Sequence, residues 1–342
     1  MRDFLLTGAS GHIGESVLNH LHLVDDIRLH CPLRPNTFDR LSEKLKSKYP
    51  SVEFFACELS DIELIEYMEQ KSFEGIIHIA GLYDLDANNG DLYLSNVVAS
   101  MGLVNVCNRL KISRFLHIST VAVAGSIKSE LKESPLKNKD KFYNEYERTK
   151  YMAEDFIVNS LHPDCSLTVM RPGIVLGSSD ASVQIKLDGP YFVINYINQF
   201  KNILKKLFFL YFPYNPISVM PFCNVDMVTQ AICSWIVEKK EYEKYYNIVF
   251  NNNPNVEIFL KEVLAAFDIR LKLIPTRKIT LLKKVLPYVN IPANLYDYLF
   301  YGPTISNELF QRDFSKVATN YEDYFDSFIS NYKAQNKGLA GE

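Results

Sequence analysis

Apolar and polar positions change period repeatedly along the chain. Short apolar runs, at residues 4–6, 27–31, 52–57, 75–79 and 114–118, alternate with longer stretches in which apolar residues return every three or four positions. The runs read as strands buried on both faces, and the stretches as amphipathic helices over 15–24, 39–49, 62–70, 91–110 and 142–158. Strand and helix in this alternation imply an α/β fold, a Rossmann-type doubly wound parallel sheet with right-handed crossovers. Such sheets bind ligands beyond the carboxyl ends of their strands, where Gly8, Arg34, Ala80 and Thr120 fall. Further on, 226–238 and 256–267 read as helices with a strand at 245–250 between them, and 281–300 and 321–332 as two more helices. The expected division is a dinucleotide-binding part over 1–178, to which part of 220–250 returns, a smaller and mainly helical substrate-binding region over 179–335, and a frayed tail over 336–342.

The region 191–222 breaks this pattern. Its run Leu207-Phe208-Phe209-Leu210-Tyr211-Phe212-Pro213 has no clear period and is too short to span a bilayer. A core helix, an acyl-binding wall and a peripheral membrane contact all fit it. Lys201, Lys205 and Lys206 beside it read as a solvated face before they read as partners for the phosphates of a CoA or pantetheine arm.

Composition narrows the class. With 342 residues, 47% of them hydrophobic, the chain can bury a sizeable core, and a net charge of −3 with mixed signs lacks the basic stripe that a nucleic-acid partner requires. Its six cysteines form no C-x-x-C pair and read as reduced, buried thiols. The first strand starts at about residue 3 and no run is long enough to span a membrane, so the expectation is a soluble, cytoplasmic protein. No cluster with metal-ligand spacing stands out.

The chemistry begins between the first strand and the first helix, in Thr7-Gly8-Ala9-Ser10-Gly11-His12-Ile13-Gly14. Glycines spaced three apart let the backbone approach a pyrophosphate, whose charge the helix N-terminus stabilises. The second strand ends in Pro32-Leu33-Arg34-Pro35, with no acid to accept from the ribose 2′-OH of NAD. Arg34, helped by Arg40, instead suits the 2′-phosphate of NADP, which favours NADP (NADPH) over NAD. The fourth strand ends in His78-Ile79-Ala80-Gly81, where small residues let a cofactor lie flat and His78 reads as a packed histidine rather than a catalyst. Tyr146 and Lys150 then stand one helical turn apart on one face, so that the ammonium can lower the phenol's pKa toward the working range.

These motifs, with Glu58-Leu59-Ser60-Asp61, Ser119-Thr120 ahead of Gly125, and the stretch from Met170-Arg171-Pro172 to Gly177, resemble the extended short-chain dehydrogenase/reductase superfamily. Val225-Asp226-Met227-Val228 and Tyr246-Asn247-Ile248 extend the likeness into the second half. Within the superfamily, 144–150 with Ala153-Glu154, the Leu33-Arg34 strand end, and Asp188-Gly189-Pro190-Tyr191-Phe192 look closest to the fatty acyl-CoA reductases and carrier-protein thioester reductases. Glu58 replaces the usual Asp, and Ala124 stands where a Tyr is common.

The resemblance implies that Tyr146 protonates the substrate oxygen, that Lys150 holds the cofactor ribose, and that Thr120 bonds the same oxygen, with Ser119 as a substitute. It places Asn96 near the nicotinamide, and Pro172, Gly173, Ile174 and Val175 against the carboxamide through backbone groups. Gly8, Ser10, Gly11, His12, Ile13, Gly14, Arg34, Glu58, Leu59, Ala80 and Gly81 complete the cofactor set. It implies reduction of a small-molecule or carrier-bound acyl thioester to aldehyde or alcohol, and homodimers paired through helices flanking the sheet. Two other readings stay open. One is a dehydrogenase, reductase or epimerase acting on a hydroxy or keto group of a sterol-like, polyketide or nucleotide-sugar substrate; the other is a regulator that senses the dinucleotide without turning it over.

Overall fold

The computed structural model describes all residues except 61, 84–88, 128, 137–140, 180–188, 287–292, 294, 301–302 and 337–342. Asp61 of the Glu58-Leu59-Ser60-Asp61 match, the match at Asp188 and the tail after Asn336 lie outside the described residues. The first half alternates as expected: β1 (Arg2–Thr7), α1 (His12–Leu21), β2 (Ile27–Leu33), α2 (Pro35–Lys48), β3 (Glu53–Ala56), α3 (Ile62–Glu69) and β4 (Phe73–His78). Then come α4 (Asn89–Tyr93), α5 (Ala99–Leu110), β5 (Arg114–Ile118), α6 (Glu145–Ser160) and β6 (Ser166–Pro172). After β7 (Ile174–Leu176), α7 (Pro190–Leu204), β8 (Phe209–Pro213), β9 (Phe222–Asn224) and α8 (Val225–Val237), the chain adds β10 (Tyr245–Ile248) to the main sheet. That sheet has seven strands in the order β10-β6-β5-β4-β1-β2-β3, every pair parallel.

Its centre is dry. Phe4, Leu5, Leu6, Ile76, Ile77, Phe115 and Leu116 are all fully buried, as strands covered on both faces by helices must be. α1 turns Val17, Leu18 and Leu21 inward and packs against α8. Trp235 of α8 meets the ring of Phe4 edge-on at 6.4 Å, donates to Thr168 at 3.2 Å, and carries the Arg114 guanidinium 4.1 Å over its ring.

Four elements read from the sequence are described differently. α2 starts at Pro35 rather than at 39, because proline suits a first helical turn, where its missing N–H has no partner to lose. The helix expected over 91–110 is interrupted by a π-helical turn, Leu94–Val98, between α4 and α5. The apolar run at 207–213 is not a core helix. It enters β8, which pairs in parallel with β11 (Lys272–Thr276) in a separate two-stranded sheet, and Phe208, Phe209 and Tyr211 are exposed. The helix expected over 281–300 is described only as two single turns, α10 (Leu282–Val285) and α11 (Leu295–Tyr298).

α9 (Val256–Ala266), α12 (Glu308–Asp313) and α13 (Tyr321–Gln335) complete the described helices. α13 is pinned through Tyr324, whose hydroxyl donates to the Gly177 carbonyl at 2.6 Å. Among the described residues no helix is long and apolar enough to cross a membrane.

Candidate active site

The turn after β1 is built on contacts that only glycine tolerates. Gly8 has φ +76°, and a Cβ there would stand 2.7 Å from the Ala80 nitrogen. A Cβ on Gly14 would stand 2.1 Å from the Gly8 carbonyl oxygen, so α1 lies directly against the turn. Gly11 precedes α1 without a side-chain cap, which leaves the first turn of the helix suited to an anion.

A buried hydrogen-bond chain fixes the neighbouring strand end. The Ala80 N–H donates to Thr7 Oγ1 at 3.2 Å, Thr7 Oγ1 meets His78 Nδ1 at 2.9 Å, His78 Nε2 meets Ser100 Oγ at 3.0 Å, and Ser100 donates to the Asn96 carbonyl at 2.6 Å. These bonds are satisfied together when the neutral imidazole carries its proton on Nε2 and accepts from Thr7 on Nδ1. Burial, and then the nearby Lys150, push the His78 pKa down to about 3, which keeps the ring neutral. His78 is therefore a structural link, as the sequence suggests.

Asn96 sits in the π-helical turn, buried. Its Oδ1 accepts from the Leu82 N–H at 2.7 Å, while Nδ2 donates to Thr149 Oγ1 at 3.0 Å and to the Leu82 carbonyl at 3.3 Å. The turn thus ties the 80–82 segment to α6, and a Cβ on Gly81 would lie 3.2 Å from Asn96 Oδ1 and 3.6 Å from Lys150 Nζ. Lys150, itself buried, donates to the Ile118 carbonyl at 2.9 Å, and burial lowers its pKa to about 8 against the opposing pull of Glu154.

Thr120 begins a 3-10 turn and its Oγ1 accepts from the Ala122 N–H at 3.2 Å. Ser119 is directed elsewhere. Its hydroxyl donates at 2.6 Å to Glu154, which also holds the fully buried Arg171.

Tyr146 and Thr120 line a cavity of about 580 Å³. His12, Ile13 and Tyr83 border it with them, and its other walls are largely apolar: Ile174, Val175, Phe192, Phe212, Met220, Phe259, Leu260 and Leu299. The ring of Tyr83 packs edge-on against Tyr146 at 5.0 Å. Three residues of the β8 run, Tyr211, Phe212 and Pro213, form part of the wall.

The sequence profile of the male sterility proteins, an NAD-binding family, matches residues 6–232. The chain belongs to this family. It is thereby an extended short-chain dehydrogenase/reductase, a type of NAD(P)-dependent enzyme. Among solved structures it is similar to the terminal R domain from the myxalamid PKS-NRPS biosynthetic pathway, with a TM-score of 0.79, 18% identity, and coverage of 99% of this chain and 91% of that one. It is similar also to UDP-glucuronic acid 4-epimerase from Bacillus cereus, with a TM-score of 0.66, 15% identity, and coverage of 97% and 99%. A putative dihydroflavonol 4-reductase from Synechocystis is 23% identical over 183 residues, 52% of this chain and 50% of that protein. The chain spans about half the length of the curated relatives it matches.

In this short-chain dehydrogenase/reductase, the residues that would hold NAD(P) fit the group. The Gly8–Gly14 turn packs backbone on backbone, Gly8 against Ala80 and Gly14 against Gly8, and Ser10 lies exposed on it. Arg34 is exposed just past the end of β2. Glu58 and Leu59 lie on the turn after β3, where α5 presses so close that a Cβ on Gly102 would stand 2.2 Å from the Leu59 oxygen. Pro172, Gly173, Ile174 and Val175 border the cavity, but the Gly173 and Ile174 amides already donate to Ile248 and Pro221 at 2.9 and 2.7 Å. A carboxamide contact at this stretch falls to its other groups.

Sequence reasoning missed Glu147. It accepts from the Tyr143 N–H and the Tyr298 hydroxyl, each at 2.9 Å, so it joins α6 to α11 beside Tyr146. Asn144 caps α6 by accepting from the Glu147 N–H at 2.9 Å. The signal was present as Asn-x-x-Glu, the spacing of a capping box.

Proposed function

We propose that this enzyme is an NADPH-dependent reductase of acyl thioesters, CoA- or carrier-bound. The observation that carries the reading is the largely apolar cavity that Thr120 and Tyr146 border, a volume suited to a chain rather than to a sugar, which asks for many polar partners. The structural likeness to an R domain supports it, and Arg34 supports NADPH over NADH.

When bound, NADPH supplies the hydride. Tyr146 protonates the carbonyl oxygen as negative charge develops on it, and Thr120 donates a hydrogen bond to the same atom. Lys150, held by the Ile118 carbonyl, orients the ribose and makes the tyrosine more acidic. Tyr146 then takes the proton back as the thiohemiacetal collapses to the aldehyde and expels a thiolate, which takes its proton from solvent. Asn96 acts by fixing the 80–82 segment, and Ser119 by holding Glu154.

The test is NADPH oxidation with a medium- and a long-chain acyl-CoA. Tyr146→Phe is expected to lower turnover by at least ~100-fold, the scale of a lost general acid, with dinucleotide binding retained. Turnover only with an aldehyde or ketone would replace this reading with that of a carbonyl reductase.

A further inference from the structure

The opposite edge of the sheet, where its strands begin, holds a second cluster. Cys107 lies in the last turn of α5, and His162 and Cys165 lie on the short turn between α6 and β6. The two Sγ atoms are 3.7 Å apart, and one ring nitrogen of His162 lies with them inside a group whose members are all within 4.8 Å of one another. A tetrahedral metal with metal–sulfur bonds of about 2.3 Å sets its two sulfurs about 3.7–3.8 Å apart.

One nitrogen of the imidazole is bonded and the other is left open. His162 Nε2 stands 3.0 Å from the Ile112 carbonyl, which can only accept, so Nε2 carries the proton and Nδ1 presents its lone pair. Nδ1 is buried and has no hydrogen-bond partner among the described residues. A ring N–H donated to a backbone carbonyl while the other nitrogen stays open is how proteins orient metal-binding histidines. Asn108 sets the frame by donating to the Ser160 carbonyl and accepting from the His162 N–H, each at 2.8 Å, and the Cys165 N–H closes the turn on the His162 carbonyl at 3.0 Å.

We propose that Cys107, His162 and Cys165 bind a zinc-class cation through two thiolates and the His162 imidazole, with solvent in the fourth position. A disulfide would use the same sulfurs, but it would give the buried Nδ1 no partner. The site lies across the sheet from Thr120 and Tyr146, so its role is to cross-link α5 to the α6–β6 turn, positions 58 residues apart in sequence.

The test titrates ZnCl₂ into the full chain, stripped of metal and kept reduced, against a chromophoric chelator. CoCl₂ serves as the spectroscopic probe. One zinc per chain, a thiolate-to-cobalt charge-transfer band and a zinc-dependent rise in melting temperature are expected. His162→Ala and Cys165→Ser, checked for folding by circular dichroism, should each weaken zinc at least ~10-fold, while turnover at Tyr146 is unchanged. Wild type and His162→Ala binding zinc alike would overturn the proposal. So would a wild-type chain that binds no zinc but closes a Cys107–Cys165 disulfide under mild oxidant.

Discussion

Glu147 and Arg34 show what single side chains contribute here. Burial raises the Glu147 pKa to about 7, against the lowering effect of the bonds from Tyr143 and Tyr298. A carboxyl whose folded pKa exceeds its unfolded value stabilises the fold fully below the unfolded value, near 4.5, and loses that contribution as pH rises through about 7. Glu147→Gln, which stays neutral, should therefore flatten the fall in unfolding free energy between those limits, a difference of about 2–3 kcal/mol. Urea titrations at pH 5 and pH 7.5 check it, and equal slopes in both proteins would refute it. Arg34 stands exposed, and on the proposed NADPH reading a charge-assisted bond to the 2′-phosphate would contribute about 1.5–3 kcal/mol. Arg34→Ala should raise the KM for NADPH by ~10-fold or more and leave that for NADH nearly unchanged.

Among elements, α5 packs directly against the turn after β3. Gly102 lets it lie against the backbone of Leu59. Alanine there would gain about 1 kcal/mol of helix propensity, but its Cβ would sit 2.2 Å from the Leu59 carbonyl oxygen, a backbone atom of the turn after β3. Overpacking of this kind typically costs 1–3 kcal/mol, so the clash wins. Gly102→Ala should lower stability in denaturant titration and weaken dinucleotide binding as the Leu59 turn shifts.

The alternating strands, the glycine turn and the Tyr146–Lys150 pair were legible because each depends on neighbours within a few residues. The Glu147–Tyr298 contact was not, since its partners are 151 residues apart. Nor was the π-helical turn, which changes the helical period for five residues only. The run at 207–213 misled because a continuous apolar stretch carries no period to separate helix from strand.

For the whole molecule, the order of strands is decisive. β10 completes the main sheet beside β6, although α7 and β8, which lie outside that sheet, come between them in sequence. α8, which follows those elements, covers α1 from the first βαβ unit. The two regions are therefore expected to unfold in one transition. The chain's single tryptophan, Trp235, sits on Phe4 and Arg114 at that junction. Its fluorescence and the far-ultraviolet circular dichroism should give coincident melting curves, and two separated midpoints would contradict this.

The same strand order has a consequence during synthesis. Roughly seventy residues separate the end of β6 from the start of β10. At about 5–20 residues per second, a ribosome needs roughly 4–15 s to make them. For that interval the outer edge of β6 waits without its partner strand. The nascent chain therefore carries an open, apolar strand edge for roughly two-fifths of the time its second half is being made, and that window is where a chaperone would have most to protect.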